Sequence, residues 1–363
     1  MDVKRSYGNE IIIITGFLTA FGLLAVYSSS GIPALQKTGD AFLFVKKQAL
    51  VSLLGFGLLA ALQFIPFKWI ERATLPLLAL SMLLISLTLI PQLEHRVNGA
   101  ARWLKLGPAT FQPAELAKLA LVLFMAKNLA RQSVHLKSLK NVFTHLVIPC
   151  LLAIPLMMQP DFGSTFLILL LSGFMLFIAG LKGRHLLLLL SLGLFAVIIA
   201  IVRAPYRFAR LTSFLEPWEN LHSGGFQIIQ SYLGFQNGGF FGLGIGESRQ
   251  KLYFLPEAHT DFILAVIGEE YGLFGVLFII LCFAMLLNSG IKVALRQKRT
   301  YRRFMAFGLT SLIAMQACIN MGVAMGLLPT KGISLPFVSS GASSLLVFLM
   351  MAGLLSRLDR KEI

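Results

Sequence analysis

About ten apolar runs, each long enough at roughly 20 residues to cross a bilayer core of about 30 Å as a helix, recur along the chain and constrain its fold more than any other feature. They cover approximately residues 10–30, 46–64, 73–91, 114–130, 144–159, 163–180, 184–202, 260–290, 303–328 and 338–357. In lipid every backbone N–H and C=O must bond internally, so only helices or closed barrels cross it. The runs are rich in Leu, Ile and Phe and do not alternate, which selects helices. Composition agrees: of 363 residues, 56% are hydrophobic and 13% charged. The mean hydropathy of +0.78 leaves too little polar surface for a water-soluble fold. The expectation is an all-α integral membrane protein, one polytopic domain over 1–363, with no soluble domain and no fixed-period repeat. The first run follows a short basic start, but its length and the spans after it mark a retained helix rather than a signal peptide.

A net charge of +16 raises nucleic acid as a partner, and the placement of the charge argues against it. Nineteen of the 32 Lys and Arg residues fall in alternate loops, among them Lys182 and Arg184 in one short turn and the set from Lys292 to Arg303. The positive-inside rule makes these loops cytoplasmic, with both termini inside. The opposite side still carries Arg102, Lys105, Arg203, Arg207, Arg210 and Lys331. Such an excess there points to an anionic ligand. Cys150, Cys282 and Cys318 are scattered within apolar runs and fit core packing rather than a disulfide or metal motif.

Four polar stretches interrupt the pattern, each at the outer end of a span. In PEAHTDFILAVIGEEYG, a continuous helix would place Glu257 and Asp261 on one face. A carboxylate at a helix start is ordinary dipole matching. Glu269 and Glu270 lie deeper, where a charge costs about 2.5–3.5 kcal/mol, and require a partner, a proton or a wet cavity. In QPAELAK, Glu115 and Lys118 are three apart: an internal ion pair, or the lining of a hydrophilic cavity. Asn98, Arg102 and Lys105 nearby suit phosphate, Arg through its planar fork. QPDFGST places Asp161 in a short turn, as a turn residue or helix cap. LPTKGISLPFVSSGASS gathers Lys331, Ser339, Ser340, Ser343 and Ser344, and serines in membrane helices often bond only their own backbone. The longest loop, 203–259, is rich in Gly, Phe and Gln, with residues 228–235 expected as a short interfacial helix. Shared sidedness implies one polar cavity open to the outside and to the outer leaflet.

The blocks VNGAARWLKLGPATFQPAELAK, QPDFGST, QKLYFLPEAHTDFILAVIGEE and LPTKGISLPFVSSGASS, in that order, resemble the signature blocks of the SEDS proteins (shape, elongation, division and sporulation) over roughly residues 10–357. QKLYFLPEAHTDFI and LPTKGISLPF are closer to the septal division branch than to the elongation branch. One departure stands at Ser339 to Ser344, SSGASS where the septal branch reads SYGGSS. The resemblance implies a ten-helix glycosyltransferase of the bacterial cytoplasmic (inner) membrane, at the division septum, that polymerises lipid II into peptidoglycan. The loop 203–259 becomes a large extracytoplasmic loop between helices 7 and 8. The implied partners are a class B penicillin-binding protein transpeptidase, other divisome membrane proteins and membrane lipid, without nucleic acid.

The family's essential aspartate matches Asp261, and its glutamate and lysine match Glu115 and Lys118. In such a reaction a 4-hydroxyl attacks the anomeric carbon of a lipid-linked donor and undecaprenyl pyrophosphate leaves. Asp261 is then the candidate base, or the ligand of a Mg²⁺ or Mn²⁺ ion that neutralises pyrophosphate. The helix dipole would depress its pKa, and a dry cavity with Glu257 would oppose that. Arg102, Lys105 and Arg210 are candidates for the pyrophosphate, with Glu257, His259, Lys331, Ser339 and Ser343 as further substrate contacts. Two rival classes are a lipid II flippase or carrier and a scaffold that only recruits the transpeptidase; the elongation paralogue is the nearer alternative.

Overall fold

The computed structural model describes residues 6–92, 94–97, 100–107, 109–132, 139–221, 225–251, 255–330 and 332–360. Each predicted apolar run coincides with a helix: α1 (Tyr7–Thr38), α2 (Leu43–Leu62), α3 (Phe67–Leu87), α4 (Pro113–Gln132), α5 (Leu139–Met158), α6 (Phe162–Ile178), α7 (Gly183–Val202), α10 (Ile263–Arg296), α11 (Thr300–Ala324) and α12 (Ala342–Asp359). Among the described residues seven of them, α1–α3, α5 and α10–α12, are long and apolar enough to cross a membrane. α6 and α7 are apolar but offer shorter stretches. α4 carries Glu115, Lys118, Lys127 and Arg131.

The packing explains why this composition needs lipid. α4, α11 and α12 form the centre, where Leu121, Met125, Leu312, Ile313, Phe348 and Leu349 are at most 3% exposed. α2, α3 and α7 lie outside and leave Leu53, Trp69, Leu187 and Phe195 more than half exposed. In water that surface would be a liability of about 25 cal/mol per Å²; against acyl chains it costs nothing. α2 meets α12 closely because Gly353 lets the chains approach: a Cβ there would lie 3.0 Å from the Leu59 Cα. The start of α1 and the end of α12 also meet. Asp359, last in α12, accepts from the Gly8 N–H at 2.9 Å and Ser6 Oγ at 3.3 Å, and pairs with Arg296 at 3.3 Å.

The structure corrects the sequence reading at two places. First, residues 94–111 form a small antiparallel sheet, β1 (Glu94–Val97), β2 (Ala100–Leu106) and β3 (Ala109–Phe111), in the order β1-β2-β3. Register places Leu104 opposite both Glu94 and Phe111. Strands of three to seven residues are too brief for alternation to stand out beside long apolar runs. Second, the eighth span is broken. Gly272 has φ 64° and ψ −159°, which divides α10 into 263–271 and 273–296. The backbone groups released at the break pair with the loop before it. Leu243 and Gly244 donate to Glu269 and Glu270 carbonyls at 2.9 and 3.1 Å, and Leu273 donates to the Gly239 carbonyl at 2.9 Å. A Cβ at Gly272 would meet Gly242 N and Phe240 O at 2.5 Å, so glycine is required there.

Within the long loop, α8 (Pro205–Leu215) follows α7 directly and α9 (Phe226–Gly238) packs its Ile228, Ile229 and Gly234 side against the first part of α10. The predicted helix at 228–235 is thus present, and longer.

Candidate functional site

Asp261 sits in a run of turns, not on a helix. Residues 255–262 hold together through Leu255 N–H to the Gln250 carbonyl and Thr260 and Phe262 N–H to the Glu257 carbonyl. Glu257 itself has φ 57°. The expected helical pairing of Glu257 with Asp261 is therefore overturned: α10 starts only at Ile263, because the Glu257 backbone is left-handed and the turns precede the helix. Asp261 directly precedes Phe262, the N-cap of α10, rather than standing in its first turn. Protein atoms surround it while one edge remains open. Burial, reinforced by the Glu257 charge and opposed by Arg102 and Arg210, pushes its pKa up to about 7.

Three segments converge on that carboxyl. Gly332, at φ 65° in the loop between α11 and α12, has both Arg102 Nη1 and Asp261 Oδ2 near its α-carbon: a Cβ there would be 3.4 Å from the first and 3.5 Å from the second. Arg102, on β2, donates to the Pro160 carbonyl at 2.6 Å and lies 3.9 Å from Asp161 Oδ1. Asp161 caps α6 by accepting from Ser164 N–H at 3.2 Å, as one of its sequence readings required. Beside these groups a small open pocket of about 60 Å³ is lined by Arg102, Arg207, Arg210, Phe162, Ile201 and Pro329, with Pro160, Gly163 and Thr330. Arg207 stacks over the Phe162 ring at 5.6 Å, and Arg210 reaches the Thr330 carbonyl at 3.4 Å. Three guanidiniums against an apolar wall suit an anion joined to a hydrocarbon.

Glu115 and Lys118 form the ion pair that their spacing allows, at 2.8 Å and at most 5% exposed. Lys118 Nζ also donates to Gln316 Oε1 at 2.6 Å and lies 5.9 Å from the Phe348 ring centroid. Glu115 Oε2 is buried without a hydrogen-bond partner among the described residues. On α11, Asn320 donates to the Asp261 carbonyl at 2.9 Å and to the Ile333 carbonyl at 2.7 Å. The Glu115–Lys118 pair and Asp261 therefore reach the same end of α11.

Other predicted residues have different placements. Lys105, three residues on along β2, is exposed. The His259 ring meets the Phe44 ring at a tilt, with centroids 5.0 Å apart, and its carbonyl accepts from Ser340 N–H at 2.9 Å. Ser339 Oγ donates to the Thr260 carbonyl at 2.6 Å and accepts from Leu335 N–H; Ser343 Oγ accepts from Gln112 N–H at 2.9 Å. Both hydroxyls pin backbone. Asn98 and Lys331 lie outside the described residues. The substitution in SSGASS is accommodated, since Ala342 is the first residue of α12, where alanine is favoured. Sequence reasoning did not single out Arg207, Gln316 or Asn320 as site residues. Arg207 and Arg210, three apart on α8, were the available signal; an amide within an apolar helix gives none.

Glu269 and Glu270 are paired structural groups. Glu269 accepts from Ser248 Oγ, from Gln250 N–H at 3.2 Å and from Asn237 Nδ2 at 3.3 Å. Glu270 accepts from Ser28 Oγ and pairs with Lys251 at 3.1 Å, and Lys251 also donates to the Gly246 carbonyl. Among the described residues no group of three or more His, Cys, Asp or Glu is arranged to hold a metal. Asp261, with Glu257 beside it, has the hard oxygen chemistry that a Mg²⁺ or Mn²⁺ ion takes from one or two carboxylates.

Comparison with known proteins places this geometry. A probable peptidoglycan glycosyltransferase FtsW of Geobacter sulfurreducens is 40% identical over 361 residues, 99% of this chain and 96% of that protein. The stage V sporulation protein E of Bacillus subtilis is 40% identical over 362 residues, 98% of each. Among solved structures, a chain of a peptidoglycan synthase complex, described as coordinating polymerization and crosslinking, superposes with a TM-score of 0.77 at 30% identity, covering 96% of each chain. The rod shape determining protein RodA of Thermus thermophilus gives 0.69 at 28% identity, covering 99% of this chain and 97% of that one. The family of FtsW, RodA and SpoVE, described as cell cycle proteins, matches residues 9–363, and the chain belongs to it.

Proposed function

We propose that this chain is a peptidoglycan glycosyltransferase that polymerises lipid II at the outer face of the cytoplasmic membrane during cell division. The observation that carries the proposal is the convergence of Asp261 and Arg102 on Gly332, beside the pocket that Arg102 shares with Arg207 and Arg210. A carboxyl with a pKa near 7 is suited to take a proton at physiological pH, and guanidiniums are suited to a leaving pyrophosphate. The acceptor 4-hydroxyl attacks the anomeric carbon and its proton passes to Asp261. The bond from that carbon to the pyrophosphate oxygen breaks, and the electron pair stays on undecaprenyl pyrophosphate, held by Arg102 and Arg210. The Glu115–Lys118 pair orders the floor of the site from α4. A bound Mg²⁺ or Mn²⁺ would be held by Asp261, with Glu257 nearby, and would supply further neutralisation of the pyrophosphate.

The membrane arrangement in this reading has ten crossings, both termini cytoplasmic and residues 203–259 outside, a position supported by the basic loops 127–140 and 292–303. The septal role, and a class B penicillin-binding protein as partner, are supported by the relatives named FtsW and by the synthase complex that the chain resembles. The test is polymerisation of labelled lipid II by purified protein, with and without the transpeptidase, read as glycan ladders on a gel. Asp261→Ala should abolish the ladders while the protein stays folded. Ladders of ordinary intensity from that variant would reject Asp261 as base and as metal ligand. Lipid II crossing vesicle membranes without polymer would instead support a flippase.

A further inference from the structure

Two amides one turn apart on α11 join the parts of the site that come from distant segments. Gln316 is fully buried; its Oε1 accepts from Lys118, and its Nε2 donates to the Ser334 carbonyl at 3.1 Å. Asn320, 1% exposed, bonds the Asp261 and Ile333 carbonyls through one Nδ2. The i, i+4 spacing sets both on one face of α11. A buried amide left without partners costs about 1–3 kcal/mol, so apolar residues would serve simple helix packing with less risk. What the amides add is registration, because one rigid helix fixes α4 through Lys118, the loop before α12 through residues 333 and 334, and the turn that carries Asp261.

We infer that Gln316 and Asn320 are positioning residues for sugar transfer: Asn320 sets the Asp261 carboxyl against Arg102, and Gln316 sets the Lys118 ammonium against Glu115. The inference rests on Asp261 being the acting carboxylate. Asn320 works through the Asp261 backbone and Gln316 through Lys118, so their losses have different signatures. Loss of Asn320 frees Asp261 to move relative to Arg102 and Glu257, the charges that set its protonation. Loss of Gln316 leaves that turn in place and releases Lys118.

The experiment measures initial rates of lipid II polymerisation by the purified full chain, with its transpeptidase if required, from about pH 5.5 to 9, where the acid limb reports the free base. Asn320→Leu, Asn320→Ser, Gln316→Met, Gln316→Glu and Asp261→Asn are compared, each with a melting curve. Misplacement on the order of 1 Å costs about 100-fold in rate, so Asn320→Leu should lose about 10- to 100-fold in kcat, with its acid limb displaced. Asn320→Ser, which keeps a donor, should recover part of both even if the Leu variant folds poorly. Gln316→Met should lose kcat with the limb unmoved, and Gln316→Glu, which keeps the acceptor for Lys118, should recover activity. Activity losses that follow only the folded fraction, with unmoved limbs and no recovery by the conservative variants, would overturn the inference. If Asp261→Asn retains full turnover, the catalytic reading itself fails; if it is inactive while Asn320→Leu matches the unaltered protein, only the positioning role falls.

Discussion

The Asp261 carboxyl is held protonated to higher pH than a free aspartate because it lies among protein atoms with Glu257 beside it, and Arg102 and Arg210 only partly offset this. Its folded pKa of about 7 exceeds the ordinary value of 3.8. The unfolded chain therefore releases this proton first. Any stability linked to it is present below pH 3.8, declines as pH rises through that window and is gone above about 7. Catalysis runs the other way, since a base must be ionised, so the polymerisation rate should climb through pH 7. Glu257→Gln removes the neighbouring negative charge and should carry the acid limb to lower pH; a limb that moves upward would contradict this assignment. Arg102→Lys keeps the charge but loses the planar fork that bonds the Pro160 carbonyl while facing Asp261. A fall in kcat/KM on the order of 10-fold or more is expected, measured with lipid II at constant ionic strength. At this scale the sequence was partly readable. Asp261, Glu115, Lys118, Arg102 and Arg210 stand in short polar blocks amid apolar runs. Gln316 and Asn320 stand inside an apolar helix, where an amide is compatible with any neutral packing role.

At the scale of elements, the break at Gly272 and the ion pair beside it form one unit. Lys251 and Glu270 are 5% and 2% exposed, and removing one partner of a buried pair typically costs about 3–5 kcal/mol. Lys251→Met should therefore lower the melting temperature sharply, and Lys251→Met combined with Glu270→Gln should recover much of the loss. A double variant no more stable than the single one would show that the pair does not account for the cost. Gly272→Val should be worse than Gly275→Ala, because only the first requires a left-handed β-branched residue against the Phe240 and Gly242 backbone. The break escaped the sequence reading because one glycine within an apolar run is common and the groups that bond its carbonyls lie about 30 residues upstream. The carboxylates of Glu269 and Glu270 did announce that something unusual occurs there. What they required was partners, and Ser248, Lys251 and Ser28 provide them.

For the molecule as a whole, long apolar runs made the helices legible; α1 runs eight residues past its expected end, and the other boundaries lie within six residues of the expected ones. The sheet over 94–111 was not legible, since its strands are short and register depends on tertiary support from α4 and α12. The proposed sidedness has a direct check. With Cys150, Cys282 and Cys318 replaced, Lys298→Cys and Lys105→Cys should react with an impermeant maleimide from opposite faces of the membrane; labelling from the same face would refute the arrangement. The hydrogen bonds from Ser6 and Gly8 to Asp359 carry a topological consequence of their own. Helix ends that touch lie at one face of the bilayer, so the stretch from α1 to α12 should cross it an even number of times. The seven long apolar helices among the described residues do not meet that parity, and the shorter or charge-bearing ones would supply the missing passages.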